Sequence, residues 1–73
     1  MKDVELATTI TFSQKKYGAH STRMALIAYF EPLTRTGEPD DRAKSVRLLA
    51  VLMGETTDAN LAKAMKVAVN AAQ

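Results

Sequence analysis

Lys15-Lys16-Tyr17-Gly18-Ala19-His20-Ser21-Thr22-Arg23-Met24 sets a helix stop against a helix start within ten residues. Two lysines ahead of Tyr17-Gly18 suit a helix C-terminus: cations offset the negative end of the helix dipole, and glycine takes the left-handed conformation that closes a last turn. Ser21 or Thr22 then offers a hydroxyl to cap the next helix. The stretch predicts two helices joined by a tight, basic turn.

On the N-terminal side two templates fit. Asp3 can cap a helix running to Lys16 with Leu6, Ala7, Ile10 and Tyr17 along one side. Val4, Leu6, Thr8, Ile10 and Phe12 also alternate with Glu5, Ala7, Thr9 and Thr11, and Thr8-Thr9-Ile10-Thr11-Phe12 is rich in strand formers. The lysine-glycine ending needs a helix to terminate, so helix is expected at least from Thr11 or Phe12. Residues 1–10 are left as extended, frayed or a strand. Such a strand, paired across a dimer, would itself suit a small DNA-binding protein.

On the C-terminal side the second helix is expected from Ser21 or Thr22 to Glu31, where Pro32 restricts the residue before it. Its interior, Met24 to Phe30, is apolar all round, the pattern of a helix buried on every side. Leu33 to Glu38 reads as a loop. Pro39 opens a third helix, with Asp40 and Asp41 at the positive end of its dipole, running to Met53 and stopping at Gly54. Ala43, Val46, Leu49, Ala50 and Met53 form its expected inward stripe, and Leu48, Val51 and Leu52 make a second all-round apolar run. After a turn at Gly54-Glu55-Thr56, Thr57 or Asp58 caps a last helix to Ala71. Leu61, Ala64, Met65, Ala68 and Ala72 fall on one face of it and Asn60, Lys63, Lys66, Asn70 and Gln73 on the other. The expected fold is all-α, a single domain over 1–73 built as a small bundle of three to four helices.

Composition limits what such a bundle can be. The chain has 73 residues, and at that size about 60% of the unfolded surface is buried on folding. Two helices apolar all round exceed what one small subunit hides, so a homodimer is expected. The sequence contains no cysteine, which excludes disulfides and thiolate metal sites. Its longest apolar run, Met24 to Phe30, is far short of the roughly 20 residues that span a bilayer. No membrane association and a cytoplasmic location are expected. Net charge is +2, and it is uneven: residues 12–36 carry Lys15, Lys16, Arg23 and Arg35 against Glu31 alone, while residues 37–58 carry Glu38, Asp40, Asp41, Glu55 and Asp58 against Arg42, Lys44 and Arg47.

No catalytic set emerges. His20 is the only histidine, so no metal-ligand spacing exists, and neither metal nor cofactor is expected. His20 and Ser21 are adjacent at a helix start, where neighbours diverge, and no third group orients them. Asp40-Asp41 is explained by the helix dipole, and Gly18, Gly37 and Gly54 stand singly at element boundaries without building a phosphate loop. The chain is expected not to be an enzyme.

The segment Lys15 to Arg23 resembles the central turn of helix-turn-helix DNA-binding regulators, where a helix ending in glycine is followed by short polar residues that open a recognition helix. The resemblance implies that His20, Ser21, Thr22 and Arg23 face base edges or phosphates of duplex DNA, with Lys15 and Lys16 on its backbone and Met24 and Ile27 facing inward. Lysines supply salt-dependent attraction, and arginine reads guanine. The sequence departs from that pattern at Gln14, where a small residue is usual, and at Leu26, where a polar one is. A second expectation stands beside it, a helical protein-interaction module of the inhibitor, antitoxin-like or adaptor kind. Tyr29, Phe30, Leu48 and Leu52 then form the dimer or partner surface, and Tyr17 is an aromatic anchor.

Overall fold

The computed structural model describes residues 3–54 and 56–70. The expected turn residue Glu55 and the expected end of the last helix at Ala71, with Ala72 and Gln73, lie outside them. The protein is all-α: α1 (Asp3–Tyr17), α2 (Ala19–Leu33), α3 (Pro39–Met53) and α4 (Leu61–Asn70), the last entered through a 3₁₀ turn at Asp58–Asn60.

The strand reading of the N-terminal segment gives way to helix from Asp3 onward. Helical register puts Leu6 and Ile10 one turn apart on the buried side, and it gives the β-branched Thr11 a partner, its hydroxyl donating to the Ala7 carbonyl at 3.1 Å. Phe12 then falls on the opposite side and is 62% exposed.

One residue joins α1 to α2. Gly18 N–H donates to the Gln14 carbonyl at 3.0 Å, closing α1, and the Gly18 carbonyl accepts from Thr22 N–H at 3.1 Å, opening α2. Its φ of 96° and ψ of 155° are not the left-handed helical pair expected of a helix-closing glycine, but a positive-φ, extended combination open to glycine almost alone. The second helix therefore starts at Ala19, earlier than the hydroxyl caps suggested. It also passes Pro32 to end at Leu33, because the donor that Pro32 lacks would have served Ala28, an exposed residue whose carbonyl water can reach. The third helix has the predicted bounds.

Helix α1 packs on α2 and α4, and α3 packs on the same two, so the four close into a ring. Gln14 Nε2 donates to the Asp58 carbonyl at 3.0 Å near one end of α1, while Leu6 and Val69 share a cleft near the other, so α1 and α4 run antiparallel. Arg23 reaches the Leu52 carbonyl, and Phe30 and Leu33 share a cleft with Asp41 and Lys44, so α2 and α3 do as well. The core is Leu6, Ile10, Phe30, Leu48, Leu52, Leu61 and Met65.

Two sequence expectations about burial are corrected here. Of Met24 to Phe30 only Phe30 is buried, while Met24, Ala25, Ala28 and Tyr29 are exposed. In α3 the inward residues are Ser45, Leu48 and Leu52, with Leu49 half-buried, and the expected stripe of Ala43, Val46, Ala50 and Met53 faces outward. Both α3 patterns have helical spacing; packing selects the one with two leucines because they fill more of the space between helices.

Candidate interaction surfaces

The residues implied in DNA contact part company around Gly18. Lys15, Lys16, His20 and Ser21 are exposed, and neither His20 nor Ser21 makes a side-chain hydrogen bond among the described residues. Lys16 is held between two rings of its own helix, its Nζ lying 5.8 Å from the Phe12 centroid and 5.3 Å from the Tyr17 centroid. A cation over aromatic faces is partly fixed in place without losing its charge.

Thr22 and Arg23 are turned to internal work. Thr22 is 2% exposed; its hydroxyl lies 2.9 Å from the Gly18 carbonyl and 2.8 Å from Ser13 Oγ, pinning α2 to α1 just past the junction. The Arg23 side chain, 17% exposed, donates from Nη1 to the Leu52 carbonyl and from Nη2 to the Thr56 carbonyl, both at 2.7 Å. Nη2 and Nε also reach Asp58 Oδ1 at 2.9 and 3.2 Å. One guanidinium thus ties the start of α2 to the end of α3 and to the approach to α4. It supplies a cation to a C-terminal carbonyl, where the helix dipole is negative. In this arrangement neither residue is presented to a nucleic acid.

The residues expected at a partner surface also divide. Phe30, Leu48 and Leu52 are core within a single subunit, at 8%, 2% and 1% exposure, so they present no outward surface. Tyr17 and Tyr29 are exposed, and the Tyr29 ring meets the Phe30 ring edge to face at 4.9 Å between centroids.

Two surfaces that the sequence reading passed over come into view. The outward face of α3 is an uninterrupted apolar stripe of Ala43, Val46, Ala50 and Met53, and on the neighbouring α2 Met24, Ala25 and Ala28 are exposed. Across the ring, the C-terminal half of α1 and all of α4 carry Lys15, Lys16, Lys63 and Lys66, each exposed, and no carboxylate. Large exposed apolar side chains are found on all four helices, Phe12 and Tyr17 on α1 and Val67 on α4 as well as Met24, Tyr29, Val46 and Met53 on α2 and α3. Asp58, at the entry to α4, is held by Arg23.

No family model, curated protein or solved structure matches the chain. Among the described residues no three histidine or acidic side chains gather as a metal site, and no described helix is long and apolar enough to cross a membrane. Arg47 stands apart chemically: its Nε and Nη2 are buried without a hydrogen-bond partner, one helical turn before Val51, which lines a shallow groove with Lys63, Ala64, Val67 and Ala68.

Proposed function

We propose that this protein is a non-enzymatic, cytoplasmic interaction module that docks on a protein through the outward face of α2 and α3. The observation that carries the reading is that α3 is apolar on both sides. Leu48 and Leu52 fill the core, while Val46 and Met53 remain 52% and 68% exposed with Ala43 and Ala50 between and beside them. A solvated helix ordinarily puts charge on its outer face, and an unbroken apolar one marks contact with another molecule. Capture from a host extract tests the reading. The double variant Val46→Asp, Met53→Asp should keep its helix content by circular dichroism and lose the protein that the unaltered chain retains. Equal capture by both would remove the basis for it.

A second reading, a small dimeric DNA-binding regulator, is favoured by the lysines of α1 and α4. Lys15 and Lys16 on α1 and Lys63 and Lys66 on α4 are exposed on two helices that pack on one another, and exposed lysines bind the phosphate backbone in a salt-dependent way. Here Lys63 and Lys66 take the place that Thr22 and Arg23 held in the sequence-based contact set. Duplex binding that falls steeply with added salt, and that weakens when the four lysines become alanine, is the expected result. Absence of binding at low salt removes this reading.

A further inference from the structure

At the end of the ring where α2 stops and α3 begins, two adjoining hollows share Phe30, Leu33, Asp41, Lys44 and Leu48 as lining. One also reaches Leu6 of α1 and Val69 of α4, so all four helices meet around it, while Thr36, Gly37 and Ser45 bound the other. We infer that this cleft binds a small apolar α-amino acid as the zwitterion. Its carboxylate rests on Lys44 and Ser45, its ammonium on Asp41, and its side chain on Phe30, Leu33 and Leu48. Val46 and Met53 do not line the cleft, so it is separate from the proposed docking face.

Helical spacing builds the site. Asp41, Lys44, Ser45 and Leu48 occupy positions i, i+3, i+4 and i+7, one face of α3. Leu48 is core at 2% exposure, whereas Asp41 is exposed and Lys44 half-buried. That face therefore passes from charged to apolar along its length. Phe30 and Leu33 of α2 extend the apolar part, and the Tyr29 ring stands edge to face on Phe30.

Ser45 is the residue that solvation does not explain. It is 7% exposed, and its hydroxyl makes no hydrogen bond among the described residues, not even to the Asp41 carbonyl one turn back. Thr11, Thr22, Thr34 and Thr36 all return their hydroxyls to a carbonyl three or four residues before them, as helical hydroxyls commonly do. A buried hydroxyl is ordinarily paired, because an unpaired one forfeits its bonds to water. Ser45 lines the cleft instead, where a bound carboxylate would accept its hydrogen.

The two charges are unpaired as well. Glu31 and Arg35 bond to one another and Arg42 Nη1 donates to the Gly37 carbonyl at 2.8 Å. Neither Asp41 nor Lys44 forms an ion pair or side-chain hydrogen bond among the described residues. Three positions apart on a helix, their Cβ atoms lie about 5–6 Å from each other, a spacing that lets an anion and a cation hold the two ends of an amino-acid head group. A peptide carries its terminal charges farther apart, and a fatty acid has only one. Size narrows the ligand further. The hollows hold about 290 and 190 Å³, at or below the lower limit of about 300 Å³ for small-molecule sites, so a single small ligand fits and a nucleotide does not.

Titration of the isotope-labelled full chain with L-leucine and L-phenylalanine at millimolar concentration, followed by amide chemical shifts, is the test. Saturable shifts around the cleft are expected. Lys44→Gln and Asp41→Asn should each weaken binding about tenfold or more, since each removes a charge-assisted contact. Ser45→Ala should weaken it about threefold or more and leave helix content unchanged, because alanine suits the same helical position. Glycine, which has the head group alone, and isocaproate, which is leucine without its amine, should each bind about tenfold or more weakly than leucine. Absence of saturable shifts with both amino acids, equal binding of isocaproate and leucine, or binding that the three substitutions leave untouched overturns the assignment.

Discussion

Arg23 Nη2 lies 2.9 Å from Asp58 Oδ1, across 35 residues of chain, and this contact is the outermost of four that the same guanidinium makes. The two carbonyls it also holds belong to Leu52 and Thr56, so the arginine serves backbone as much as carboxylate. Arg23→Ala should therefore destabilise the fold by about 2–3 kcal/mol, chiefly through part-buried carbonyls left without a donor. Asp58→Ala should cost under about 1 kcal/mol, because that carboxylate is half exposed and screened. Arg23→Lys should recover only part of the loss, since an ammonium lacks the planar fork that spans several acceptors. Urea denaturation of the three variants measures this; equal effects of Arg23→Ala and Asp58→Ala would mean that the ion pair, not the backbone contacts, dominates.

Gly18 sits at φ 96°, ψ 155°, and a Cβ placed there meets no atom within 4 Å. Space is free, so the cost of Gly18→Ala is the backbone conformation alone, expected at about 1–3 kcal/mol. Thermal unfolding should register it as a lowered midpoint. A neutral result would require the junction to relax into negative φ, which one residue between two full helices leaves little room to do.

How far the sequence could lead is set by these two residues. The lysine-glycine stop was legible because it depends on local chemistry, and so were Pro39 with its two aspartates and the end of α3 at Met53. Helix α2 started earlier than expected because one glycine served as both the close of α1 and the N-cap of α2, and it ran two residues past its expected end because the donor missing at Pro32 left only an exposed carbonyl unserved. The inward face of α3 was not legible. Two stripes share its period, and only the neighbouring helices decide between them. Arg23 lay in the segment read as nucleic-acid contact, yet nothing in its surroundings announces a bond to a carbonyl 29 residues away. Lys63 and Lys66 looked like the solvated side of one helix until α1 was placed beside it.

Glu31 and Arg35 pair one turn apart at the end of α2, and the guanidinium hydrogen bond holds the Glu31 carboxyl below its ordinary value while the carboxylate holds Arg35 above its own. A carboxyl whose folded pKa is depressed contributes stability that is present above its unfolded pKa and lost as pH falls through the folded one. The contribution should therefore be constant at neutral pH and fade on acidification below the usual glutamate range. Because both groups are solvent-exposed, the effect should be small and should shrink with added salt. Comparing acid unfolding of the unaltered chain with that of Glu31→Gln isolates it: the variant should lack this part of the pH dependence. Identical acid limbs would show that the pair carries no linkage.

Arg47 offers the opposite sign. Its Nε and Nη2 are buried with no hydrogen-bond partner, so folding strips water from part of a guanidinium and returns nothing to those atoms. The side chain's aliphatic stem still packs, and methionine keeps a stem of comparable length while removing the polar head. Arg47→Met should accordingly raise stability by about 1 kcal/mol, where Arg47→Ala, which also deletes the stem, should gain less or lose. Urea denaturation of the two variants beside the unaltered chain measures the change. A loss of stability on Arg47→Met would mean that those nitrogens find a partner in solution, and that this arginine is held rather than stranded.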